Sequence, residues 1–74
     1  MLGDELRKVR EDAGLTQEQL SVAAGIDRSY VSQLENDHKS PTVAVLFLIC
    51  DALGVPPSQV IARVEQSRPP KSKK

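Results

Sequence analysis

Seventy-four residues with one Cys, one His and equal numbers of acidic and basic side chains exclude several classes. One cysteine permits no internal disulfide, and one His with one Cys is too few for a zinc site of the usual kind, so neither a metal nor another cofactor is expected. The opening "MLGDELRKVRED" is charged and amphipathic rather than a signal peptide, and no apolar run approaches the roughly 20 residues of a membrane span, so a soluble cytoplasmic protein with no membrane partner is expected.

The neutral total hides an uneven placement. Residues 1–64 hold six Lys/Arg against nine Asp/Glu, and residues 65–74 hold four against one. Net charge alone therefore argues nothing about nucleic acid. Local placement has to carry any such claim.

The chain reads as all-α, in five helices. Leu2, Leu6, Val9 and Ala13 share one face of a first helix over about 2–13, with Asp4, Glu5, Lys8, Glu11 and Asp12 pointing away, and Gly14 stops it. "TQEQ" at Thr16–Gln19 is a capping box that starts a second helix. Leu20, Ala23 and Ala24 face inward, and Gly25 ends the helix with positive φ. Asp27 is a good N-cap for a third helix running to about Glu35, with Ile26, Val31 and Leu34 on its buried side. "NDHKSP" is a polar turn. Thr42 caps a fourth helix that ends at Leu53 before Gly54. Pro57 opens a fifth, in which Val60, Ile61 and Val64 pack. The expected domain is residues 1–64, and 65–74 are a basic, Pro-containing tail expected to be disordered. Its lysines either add phosphate attraction or only aid solubility.

Two short helices joined by a tight glycine turn make a helix-turn-helix. Leu20 and Ala24 of the first must meet Val31 and Leu34 of the second. That leaves Arg28, Ser29, Ser32 and Gln33 on the outer face. Such donors and acceptors suit base edges: Arg suits guanine, Gln suits adenine, and Ser suits either.

"LTQEQLSVAAGIDRSYVSQLEN" followed by "SPTVAVLFLICDALGV" resembles the phage repressor and Cro helix-turn-helix family, the XRE family, over about residues 3–61. "IDRSYVSQLEN" looks especially like its stand-alone regulators, such as restriction–modification controllers. The resemblance implies a compact five-helix bundle that binds duplex DNA as a two-fold dimer, with the third helix in the major groove. It implies base reading by Arg28, Ser29 and Gln33, with Ser32 beside them. It implies phosphate contacts from Gln17, Asn36, Lys39 and Ser40. Tyr30 is either a partly packed aromatic or a further phosphate donor. Arg10 and Glu35 match an ion pair that ties the first helix to the third. Three departures stand out: Ser21 where Ala is usual, Asp37 where Gly is common, and Pro56-Pro57 before the last helix. Asp37 implies a strained or reshaped turn.

The fourth helix, "TVAVLFLICDAL", is apolar nearly all round. Val43, Leu46, Ile49, Cys50 and Leu53 form its core side, and Val45, Leu48 and Ala52 a second stripe. A helix apolar on both sides is usually buried on both. In so small a protein the second cover is expected to be another copy, through Val45, Phe47, Leu48, Ala52, Val60 and Ile61. The expected function is a dimeric transcriptional regulator reading a pseudo-palindromic operator, with no catalytic constellation. The rival reading is a protein-interaction module, an adaptor or antitoxin on the same fold.

Overall fold

Capping chemistry divides the chain. The computed structural model describes residues 2–67, and within them the helices are α1 (Leu2–Asp12), α2 (Gln17–Ala24), α3 (Arg28–Glu35), α4 (Val43–Leu53) and α5 (Pro57–Ser67). No strand occurs among the described residues. The capping box is complete: Thr16 Oγ1 accepts from the Gln19 N–H at 3.1 Å, and Gln19 Oε1 accepts from the Thr16 N–H at 2.9 Å. Thr42 Oγ1 accepts from the Val45 N–H at 3.1 Å and starts α4 the same way. Gly25 ends α2 in the left-handed region, at φ 73°. Asp27 holds the extended N-cap backbone of α3, but its side chain makes no capping bond. Asp27 is thus the N-cap by position, with its backbone carbonyl accepting from the Val31 N–H at 3.1 Å while its exposed carboxylate stays off the helix end.

The core draws on every helix. Leu6 and Val9 of α1 meet Leu20 and Ala24 of α2, Val31 and Leu34 of α3, Leu46, Ile49, Cys50 and Leu53 of α4, and Val60 of α5. Helix α2 packs on α3 and α4, and α1 packs on α3 and α5. Each fully buried Leu contributes about 1.5–3 kcal/mol, so Leu6, Leu20 and Leu34 are among the main apolar anchors of α1, α2 and α3.

Several expected faces are turned differently. Ala13 lies beyond the end of α1 and is exposed. Ala23 is exposed, because Leu20 and Ala24, one turn apart, take the inward face of α2. Val43 is exposed in the first turn of α4 rather than on the core side. Val60 is fully buried, so it is core and not a dimer residue; its neighbour Ile61 is the one turned outward. Helix α5 runs past the expected boundary at 64 to Ser67. The expected disorder of the tail falls, beyond Ser67, outside the described residues.

Glu5 was expected to point to solvent and is buried. Arg63 of α5 explains this, its Nε donating to Glu5 Oε1 at 3.0 Å, with Lys8 Nζ 3.6 Å from the other carboxylate oxygen. The pair ties the two ends of the described chain together.

Helix α1 also presses hard on the exit of α3. Gly3 is buried there, and a Cβ would run into the backbone oxygens of Leu34 and Glu35. Helix propensity alone favours Ala over Gly by about 0.8–1 kcal/mol. The overlap is with backbone, which cannot swing aside. Gly3→Ala is therefore expected to destabilise the fold, by about 1–3 kcal/mol in urea denaturation. A stabilised variant would mean that α1 slides freely on α3.

Candidate nucleic-acid interface

Asp27, Arg28 and Ser29 are exposed at the start of α3, while Ser32 and Gln33 are half-buried one turn on. Positions 28, 29, 32 and 33 share the helix face opposite Val31 and Leu34, so the core contacts themselves turn that face outward. Tyr30 is half-buried and packs against the core cluster, which favours its reading as a packed aromatic.

The C-terminal end of α3 is held by a buried network. Arg10 Nε donates to Glu35 Oε2 at 2.6 Å and Arg10 Nη2 to Oε1 at 3.0 Å, a two-pronged pair between α1 and α3. Arg10 Nη1 also donates to the Leu15 carbonyl at 2.8 Å, which fixes the turn before α2. Bonding to Glu35 holds the Arg10 guanidinium above its ordinary pKa. Gln17 joins the network, its Nε2 donating to Glu35 Oε1 at 3.1 Å. The first residue of α2 is thus positioned by the last residue of α3. A phosphate at Gln17 would meet an amide already held in place, beside a helix N-terminus that favours anions.

Asn36, Lys39 and Ser40 are exposed in the turn leaving α3, and Asn36 Nδ2 lies 3.4 Å from Ser32 Oγ as a donor. The turn is built on Asp37, the one non-glycine residue of positive φ among the described residues, at 59°. Its Oδ1 accepts from the Gly3 N–H at 3.0 Å, and that bond holds the carboxyl below its ordinary pKa. The start of α2 and the α3–α4 turn thus both meet the C-terminal half of α3, through Gln17 with Glu35 and through the bonds of Asn36, His38 and Lys39 to Ser32 and Gln33. Phe47, Leu48 and Ile61 are exposed on α4 and α5. Val45 and Ala52 are half-buried against the core.

Two contacts had no signal in the residue pattern. Glu5–Arg63 spans 58 positions and Gly3–Asp37 spans 34. Among the described residues no group of His, Cys, Asp or Glu is arranged to hold a metal. Cys50 is buried in the core, which pushes its thiol pKa up. No single described helix is long and apolar enough to cross a membrane.

A helix-turn-helix family model matches residues 6–60. The chain is 30% identical over 67 residues to an uncharacterized HTH-type transcriptional regulator, y4dJ, of Sinorhizobium fredii, covering 90% of this chain and 87% of that one. It spans less than half the length of several other curated regulators it matches. Among solved structures it is similar to the clp gene regulator ClgR from C. glutamicum, with a TM-score of 0.88 and 31% identity, over 95% of this chain and 91% of that one. It is also similar to the restriction–modification controller protein C.Esp1396I, seen as a tetramer in complex with its natural 35 base-pair operator, with a TM-score of 0.79 and 28% identity, over 88% of this chain and 86% of that one.

Proposed function

The chain belongs to the helix-turn-helix family, and from that premise we propose that it is a transcriptional regulator that binds duplex DNA in a sequence-specific way. It reads a pseudo-palindromic operator as a homodimer, with α3 in the major groove. The observation that supports this most is the outward face of α3, where core packing of Val31 and Leu34 presents Arg28, Ser29, Ser32 and Gln33 together. Arg28 is suited to the two acceptors of guanine and Gln33 to adenine, while the serines serve either. Gln17, Asn36, Lys39 and Ser40 fix the register by holding phosphates. Tyr30 can add its hydroxyl to that set only from the edge of the core.

The dimer surface is the exposed apolar side of α4 and α5. Phe47, Leu48 and Ile61 are 52%, 47% and 46% exposed, and Val45 and Ala52 flank them. A second copy placed there buries side chains that water otherwise wets. No catalytic role is proposed.

A second reading has one observation in its favour. Val22, beside Ala23 on the outer face of α2, is 77% exposed and lines a shallow hollow with Thr16, Glu18 and Gln19. An adaptor could use such a face for a protein partner.

Selection of bound duplexes from a random-sequence library, at about physiological salt, separates the two. A DNA reader enriches a two-fold motif with half-sites about one turn, roughly 34 Å, apart. Its affinity falls steeply with salt as counterions are released. Arg28→Ala is then expected to weaken binding by about 1–3 kcal/mol and to relax preference at one base position. No enrichment from the folded protein would move the reading to the adaptor.

A further inference from the structure

Asp37 holds φ 59° in the turn that leaves α3, while the left-handed glycines Gly14, Gly25 and Gly54 follow α1, α2 and α4. Side chains resist this region because Cβ crowds the carbonyl that follows, although Asp and Asn tolerate it better than most. What the conformation supplies here is a bond to a distant helix. Asp37 Oδ1 accepts from the Gly3 N–H, one of the first-turn donors that α1 cannot satisfy for itself. Gly3 in turn lies directly against the backbone of Leu34 and Glu35. The start of α1 and the exit of α3 are thus joined twice, once by packing and once by the carboxylate.

The turn is also folded back on α3. The Asp37 N–H donates to the Leu34 carbonyl at 3.2 Å, and the N–H groups of His38 and Lys39 both donate to the Gln33 carbonyl, at 2.9 and 3.3 Å. Asp37 therefore sits between a residue of the reading face and the residues proposed to hold phosphate. A carboxylate turned toward the groups that Asn36, Lys39 and Ser40 are proposed to hold would repel phosphate there. Bonded to the N-terminus of α1, it meets the positive end of a helix dipole instead.

We infer that Asp37 is a positioning residue for DNA binding. By capping α1 through Gly3, it sets the turn from Asn36 to Ser40 against the phosphate backbone and keeps its own charge turned from it. The inference rests on the operator reading above. It differs from a purely structural role in what its loss does: the phosphate contacts slacken while the fold stands.

Three variants test it on the selected duplex. Asp37→Asn keeps an acceptor and a residue that tolerates positive φ, and it binds as the parent does. Asp37→Gly relaxes the backbone but removes the acceptor. It should melt close to the parent by circular dichroism yet bind every sequence more weakly. The expected loss is roughly five- to tenfold, at the low end of coupling between two sites. Its salt dependence should flatten by about one unit of slope, as if one phosphate contact were lost. Asp37→Ala loses both features and binds at least as weakly as the glycine variant. Asp37→Gly binding with parental affinity and salt slope would overturn the inference alone. So would Asp37→Asn falling as far as Asp37→Gly. A parent chain that enriches no duplex would instead overturn the operator reading, and this inference with it.

Discussion

Arg10→Met is expected to remove about 3–5 kcal/mol of stability, the cost of stranding a buried charge. Glu35 is the charge at stake. Its side chain is 2% exposed, and both of its oxygens accept from Arg10. With the guanidinium gone, the Gln17 amide at 3.1 Å is a neutral donor and cannot offset the desolvation of a carboxylate. Domains of this size hold only about 5–15 kcal/mol in all, so the single variant should be largely unfolded at modest urea. The paired change Arg10→Met with Glu35→Leu removes both charges and fills the space with apolar atoms. Such exchanges are often neutral or stabilising, by up to about 4 kcal/mol. The double variant should therefore recover most of the loss. A urea melt of the parent, both single variants and the double closes the cycle. An Arg10→Met cost below about 1 kcal/mol would mean that solvent reaches the pair. The double variant should still bind DNA less well than the parent, because Gln17 no longer has Glu35 to hold it.

What was legible in the chain was local chemistry. Thr16 and Gln19 form their capping box within four residues, and Gly25 and Gly54 end helices by their own freedom. The α3 face was legible too, since placing Val31 and Leu34 inward leaves Arg28 and Gln33 outward by geometry alone. The pairing of Arg10 with Glu35 came from the family resemblance, and the contact is present at 2.6 Å. What was not legible depended on which helix lies against which. Val60 and Ile61 are adjacent and equally apolar, so only the docking of α5 on α1 and α4 decides which is core. Glu5 read as a surface residue because nothing near it in sequence announces Arg63. Asp37 stood out as a departure where glycine is common, but its partner Gly3 could not be named before the ends of α1 and α3 were brought together.

Leu48→Glu is expected to separate the proposed dimer while leaving the protomer folded, and the two effects differ in size for one reason. In the isolated protomer Leu48 is 47% exposed, so a carboxylate there stays in water and costs within about 0.5 kcal/mol. In a dimer through α4 and α5 the same group would lie between two apolar faces that include Phe47 and Ile61, once on each protomer by the two-fold symmetry. Burying it unpaired costs several kcal/mol, and doing so twice exceeds what a small interface supplies. The loss then reaches DNA. Two linked reading helices hold an operator tighter than one by roughly 10²–10⁴ without any new contact, and that factor disappears with the dimer. Binding to a single half-site should barely change, because Arg28 and Gln33 lie on α3 and the exposed position 48 lies on α4. Sedimentation equilibrium, with titrations on full and half operators, reads all three quantities. Ile61→Glu on α5 should reproduce the pattern. A Leu48→Glu chain that stays dimeric would place the interface on another surface, and the exposed apolar side of α4 would then need a different cover.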